Sequence, residues 1–321
     1  MFLFESLPWH TILMGFAVLA GLMLVNELAR ANKWIALVIF LVLPIFLTIM
    51  VWPKTAAPGT SVGTWFHYAK VYSVLVITLG IMGIRFIKGW ANNKYILMFP
   101  ALLLAINIFE AVIRDFECYS LNGLIDGVVI TGGAWNIMNG IAGILNILAI
   151  SGWAGIFISR DKKKDMVWPD QLWFWIIAYD LWNFAYVYNC IGDHAFYAGV
   201  ILLLSCTIPA FFMKKGAWLQ HRAQTLAVWV MFAMTFPAFI DTSKYAVKAS
   251  QNTNALFIIS AIALLANIAL IIFHIYKIVK YKRNPFTQEV YVDEPVKFII
   301  INEDIVGMII NQLICSSRDR L

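Results

Sequence analysis

Three nearly uninterrupted apolar runs decide what solvent this chain folds in: ILMGFAVLAGLMLV at residues 12–25, WIALVIFLVLPIFLTIMVW at 34–52 and ALFIISAIALLANIALIIF at 255–273. Each approaches the roughly 20 residues that an α-helix needs to cross about 30 Å of hydrocarbon. Charged residues make up only 13% of the 321 positions against 61% hydrophobic ones; soluble domains carry about 25% charged residues. So few charges cannot clothe a water-facing surface, and lipid is the expected surroundings for most of the fold. The first run follows Glu5 instead of a basic segment, and no small-residue cleavage pattern closes it, so a retained helix is expected there and not a signal peptide.

Breaks at charged, Pro-rich and Gly-rich stretches predict an all-α, polytopic transmembrane bundle of about nine spans. These lie near 9–28, 34–52, 66–87, 95–115, 135–158, 171–190, 194–213, 218–241 and 254–278. Sorting the cations into alternate connections puts 19 of the 24 Lys and Arg residues on one side. That side holds Arg30, Lys33, Arg85, Lys88, Lys94, the 160–164 cluster, Lys214, Lys215, Arg222 and everything from Lys277 onward. Basic loops stay in the cytoplasm, so the amino terminus is expected outside and the carboxyl terminus inside. The same sorting accounts for the net charge of +6 without invoking nucleic acid. Residues 1–280 read as the bundle and 281–321 as a cytoplasmic tail, partly disordered or forming a short surface-lying or docking helix.

Ionisable groups inside spans cost at least about 2.5–3.5 kcal/mol, so those retained normally face a cavity, a partner or a site. His67 and Lys70 fall in the outer third of the third helix, Asn107, Glu110, Arg114 and Asp115 in the outer half of the fourth, and Asn139 near the start of the fifth. Asp180 and Asn183 lie mid-way along the sixth. The inner half holds few such groups apart from Glu27 and the QHRAQ segment at 220–224, and this one-sidedness predicts a polar vestibule open to the outside and closed toward the cytoplasm by apolar packing. Glu110 and Arg114, four residues apart, are placed to neutralise each other. Asp180 has no cation in its own helix, and a buried carboxylate there suits proton coupling or contact with a cation. Trp175, Tyr179, Trp182 and Tyr186 form an aromatic stripe that serves either stacking on a solute or plain packing. Asp193, His194, Asp241 and Lys244 read as helix ends at the headgroup level. In the fifth helix Gly140 and Gly143 beside Asn136, Asn139 and Asn146 predict close helix approach bridged by amides.

Asp180, Asn183, Glu110, Arg114, Tyr179, Trp182, Asn107, Asn139, His67 and Lys70 are therefore the expected solute-binding residues. The expected solute is small and polar or cationic. An intramembrane enzyme at the outer face, using Asp180, Glu110 and the histidines, is the alternative, and a sensor or scaffold a third. No HExxH, GxSxG, Walker A or dinucleotide fingerprint occurs, and no cofactor is expected. His10, His67 and His194 all map to outer helix ends, but their spacing makes no zinc motif. Cys118 and Cys190 share the outer side; a disulfide and two separate buried thiols both remain open.

The stretches VWPKTAAPGTSVGTWFHYAKVYS, INIFEAVIRDFECY, AWNIMNGIAGILNILAISGW, WIIAYDLWNFAYVYNC and KKGAWLQHRAQTLA resemble a bacterial family of multi-span membrane proteins known only as a domain of unknown function. The resemblance runs from the first helix through the ninth and leaves the tail outside. It implies a bacterial inner (cell) membrane location and supports the span count, and it supplies no reaction, ligand or site.

Overall fold

In a computed structural model of the protein, which describes residues 2–125, 127–302 and 304–306, helices dominate. Nine principal helical segments occur among these residues: α1 (Trp9–Ala31), α2 (Lys33–Thr55), α3 (Trp65–Phe86), α4 (Lys94–Cys118), α5 (Ala134–Leu148), α6 (Trp173–Cys190), α7 (Gly192–Phe212), α8 (Trp218–Thr235) and α9 (Thr253–Tyr281). Six of them, α1, α2, α3, α4, α7 and α9, are long and apolar enough to cross a membrane. A short helix, Pro237–Asp241, extends α8. Two small antiparallel hairpins complete the fold: β1 (Asn122–Ile125) with β2 (Val128–Thr131), and β3 (Phe157–Ile158) with β4 (Met166–Val167).

Local chemistry sets where the helices start and where they deform. Thr64, Asn93 and Asn252 cap α3, α4 and α9 by accepting from free first-turn amides, as at His67 and at Tyr95 (2.9 Å). Pro44 lacks an N–H and crowds the carbonyl before it, and α2 widens on both sides of it into π-type turns at Val38–Val42 and Leu47–Val51. The α5 helix stops after 15 residues, about 22 Å of rise, and does not reach the expected position 158. Gly152 turns the chain there with a left-handed φ of 66°, and any Cβ on it would meet Asp170 at 2.7 Å.

The connections gather at two opposite ends of the bundle. At the amino-terminal end, Phe4 bridges to Ala249, Ser61 donates to Asp241, and Lys248 pairs with Asp193. At the carboxyl-terminal end, Arg30 pairs with Asp165, Lys214 with Asp161, and the Gly152 amide donates to the Pro285 carbonyl. The predicted small-residue face of α5 is present: Gly140 lies against Phe116, Gly143 against Val112 and Trp182, and Asn146 donates to Asn267 at 3.0 Å. Away from the core, Phe16, Leu24, Ile45, Ile49, Leu265 and Ile272 are exposed, an apolar belt that water would penalise and hydrocarbon would not.

The first part of the tail is docked, not loose. Lys297 and Asp170, both buried, pair at 2.5 Å, Val290 N donates to Asp170 at 2.7 Å, and Lys277 pairs with Asp293 and Glu294. Val290, Tyr291 and Ile300 share a small core with Val167 and Leu172. Residues 295–302 and 304–306 are helical; residues 307–321, with Arg318 and Arg320, lie outside the described residues.

Candidate functional site

A cavity lies within the bundle. A water's centre can range over about 60 Å³ of it, room for about four waters. Its polar wall comes from five helices: His67 and Lys70 on α3, Asn107 on α4, Asn183 on α6, His194 on α7 and Arg222 on α8. Its apolar wall includes Phe66, Val187, Leu226, Trp229 and Ala233.

The carboxylates expected to converge there do not. Glu110 pairs with Lys70 at 3.3 Å and accepts from Ser73, while Arg114 pairs with Glu117 at 2.8 Å. The expected Glu110–Arg114 pair is therefore absent, because Lys70 on the facing helix reaches the same carboxylate. Asp115 is buried behind the cavity and accepts from Asn139 Nδ2 (2.8 Å) and Cys190 Sγ (3.3 Å). Asp180 accepts from Thr207 at 2.7 Å on α7, its other oxygen is unpartnered, and it does not line the cavity. Of the ten expected residues, His67, Lys70, Asn107 and Asn183 line it. Tyr179 touches it indirectly, and Trp182 packs against Gly143 and Tyr186. The aromatic stripe exists, with Trp175 stacked on Tyr179 and Trp182 on Tyr186, and all four rings are buried.

Arg222 organises the site. Its residue is 4% exposed. Nε donates to Tyr179 Oη at 3.3 Å, Nη2 donates to Asn183 Oδ1 at 3.1 Å, the guanidinium sits 5.7 Å from the Tyr179 ring centre, and Nη1 has no partner. Among the described residues no carboxylate forms an ion pair with it. Two neutral acceptors and a ring offset only part of the several kcal/mol that burying a cation costs. Two further lining residues, both buried, carry polar atoms without a partner: Tyr186 Oη and His194 Nε2, the latter 3.9 Å from Asp241. The His67 and His194 ring centres are 5.7 Å apart.

Sequence reasoning counted Arg222 among cytoplasmic loop cations and His194 among helix ends. The QHRAQ segment, 220–224, held the signal: five consecutive polar or small residues opening an otherwise apolar helix. His10 lies apart, bonded to the Lys244 carbonyl. Among the described residues no group of three or more His, Cys, Asp or Glu could hold a metal ion. Cys118, Cys190 and Cys206 are free, buried thiols.

Apolar packing does not close the carboxyl-terminal end, contrary to expectation. Asp165, fully buried, receives Arg30 Nε (3.1 Å) and Nη2 (2.8 Å) and Gln220 Nε2 (2.6 Å). Arg85 donates to the carbonyls of Arg30, Lys163 and Lys164. Asn26 donates to His221 Nδ1 at 2.8 Å, and Glu27 bridges Arg30 and Lys163. Gln220, His221 and Arg222 are adjacent, so a single turn of α8 carries both this network and the cavity guanidinium. Burial alone would push the Asp165 carboxyl up, but the Arg30 hydrogen bonds and charge, with Arg85 and Gln220, hold it down at about 2.

Fold and site together define an all-α membrane protein with a cation-lined internal cavity. The chain matches the family of unknown function DUF5692 over residues 5–302 and belongs to it. The match takes in the docked part of the tail, which the resemblance read from the sequence had left outside. No curated protein and no solved structure matches the chain.

Proposed function

We propose that this protein spans a bacterial inner membrane nine times, with its amino terminus outside, and binds and carries a small solute through the cavity. The observation that carries this reading is the convergence of His67, Lys70, Asn107, Asn183, His194 and Arg222, from five helices, on one cavity. Hydrocarbon tolerates such groups where they face a partner or a wet space. The charge sorting supports the orientation, and His67 and His194 then lie toward the outside. Cationic solutes drop out of the proposal, because Arg222 lines the cavity and Asp180 does not.

Asp180 keeps a role as proton carrier. It follows Tyr179, which hydrogen-bonds Arg222, and one of its buried oxygens is unpartnered. The test is uptake into proteoliposomes across a panel of small solutes, with and without a proton gradient. Solute accumulation by wild type that Arg222→Met abolishes supports the reading, and accumulation indifferent to that change contradicts it. Asp180→Asn should remove the dependence on the gradient; an unchanged dependence would take that residue out of the mechanism.

A further inference from the structure

We infer that the solute is a small monoanion with an apolar body, a short-chain monocarboxylate whose carboxylate sits against Arg222. This rests on the reading of the cavity as a solute site and adds the chemical class. Lys70 is offset by Glu110 at 3.3 Å, whereas the Arg222 guanidinium forms no ion pair with a carboxylate among the described residues; Asp180, the proposed proton carrier, acts on it by charge only. With Asp180 carrying its proton, one fixed positive charge is left over, and one negative charge completes it. Donor count points the same way. Arg222 Nη1, Tyr186 Oη and His194 Nε2 belong to lining residues and lack a hydrogen-bond partner, His194 Nε2 facing Asp241 at 3.9 Å, with Arg222 4%, Tyr186 3% and His194 2% exposed. Nη1 and Oη can donate, and the imidazole Nε2 can when it carries its proton. A carboxylate has only acceptors to offer and takes a guanidinium edge well.

The remaining wall is apolar and includes Phe66, Val187, Leu226, Trp229, Val230 and Ala233. A strongly hydrated inorganic anion gains nothing from such a surface, and an aliphatic tail does. The available room holds about four to six non-hydrogen atoms, three of which are the carboxylate, and this sets the tail at one to three carbons. Sulfate and phosphate dianions would leave a second negative charge facing apolar side chains.

The experiment is calorimetric titration of the purified full-length protein in detergent with acetate, butyrate, butyramide, butylammonium and chloride. Butyrate should bind, and more tightly than acetate or chloride. Arg222→Met should weaken butyrate by roughly 30-fold or more, and Arg222→Lys, a point charge without the planar fork, by less. Ala233→Trp, which fills the apolar end and spares the guanidinium, should weaken butyrate more than acetate; this variant keeps the inference testable if Arg222→Met does not fold. Butyramide or butylammonium binding that excludes butyrate, and is lost in Ala233→Trp, would overturn the anion and leave the solute site standing. Chloride binding as tightly as butyrate would overturn the apolar body. Butyrate affinity unchanged by both Arg222→Lys and Ala233→Trp would place the anion elsewhere and overturn the site as well. No binding of butyrate by wild type would overturn the inference.

Discussion

Removing the Asp165 carboxylate should destabilise the fold in a pH-dependent way. Asp165 lies in the connection between α5 and α6 and ties α1, through Arg30, to α8, through Gln220, with Arg85 of α3 at 4.0 Å. In Asp165→Ala, two buried guanidinium groups keep only the partly exposed Glu27 and Asp161 as nearby acids, and breaking a buried pair from one side costs about 3–5 kcal/mol. Asp165→Asn is milder, since the amide resembles the protonated acid. The carboxyl is held at about 2 in the fold against an ordinary 3.8, which corresponds to about 2 kcal/mol at neutral pH. The folded value is depressed, so this contribution is complete above the ordinary carboxylate range and drains away as pH falls from about 4 toward 2. Equilibrium unfolding in mixed micelles, followed by tryptophan fluorescence at several pH values, measures both. The wild type should exceed Asp165→Asn by about 2 kcal/mol at pH 7, with the gap closing toward pH 2. A gap absent at neutral pH, or one that widens on acidification, would refute the reasoning.

Other outcomes follow from the same structure. Lys297→Met leaves the Asp170 carboxylate buried without its cation, so the tail should come off the bundle and protease should cut beyond residue 283 several times faster than in wild type; an unchanged cleavage rate would mean that the pair does not hold the tail. Gly143→Ala puts a Cβ 2.6 Å from Trp182 Nε1 and Val112 Cγ2, and this overpacking should cost about 1–3 kcal/mol in the same unfolding assay, whereas an Ala at the open Gly21 should cost far less. Cys118, Cys190 and Cys206 are buried free thiols. In a Cys315→Ser background, maleimide should leave the native protein unlabelled and modify three sites after denaturation; only one modified site in the denatured, unreduced protein would mean that Cys118 and Cys190 are joined.

The bundle was legible in the sequence because hydrocarbon imposes a simple rule on composition: long apolar runs mark helices, and their breaks mark the ends. The end of α5 was not, since apolar residues continue past Gly152 and only the approach of Asp170 and Pro285 explains the turn there. The site was half legible. Lys70, Asn107 and Asn183 stood out as polar groups at depth, and they do meet. Glu110 and Asp180 stood out for the same reason, yet each is engaged by a neighbouring helix, Glu110 by Lys70 and Asp180 through one oxygen by Thr207, because the direction a side chain takes around a helix decides its partner and span depth does not reveal it. Arg222 was hidden by its company. Lys214, Lys215 and Arg222 look alike to a charge count, but Arg222 lies on the buried side of α8 and turns into the cavity. The ionic closure around Asp165 was equally obscured, since the DKKKD sequence reads as a solvated loop until Arg30 and Arg85 arrive from distant helices.

The central claim is that Arg222 waits for an anion from outside the chain. An experimental density map of the protein in lipid nanodiscs with butyrate tests this most directly. Non-protein density should lie in the cavity within hydrogen-bonding distance of Arg222 Nη1, with its far end against Trp229 and Ala233. A guanidinium swung onto Asp180, with protein side chains filling the cavity, would contradict it.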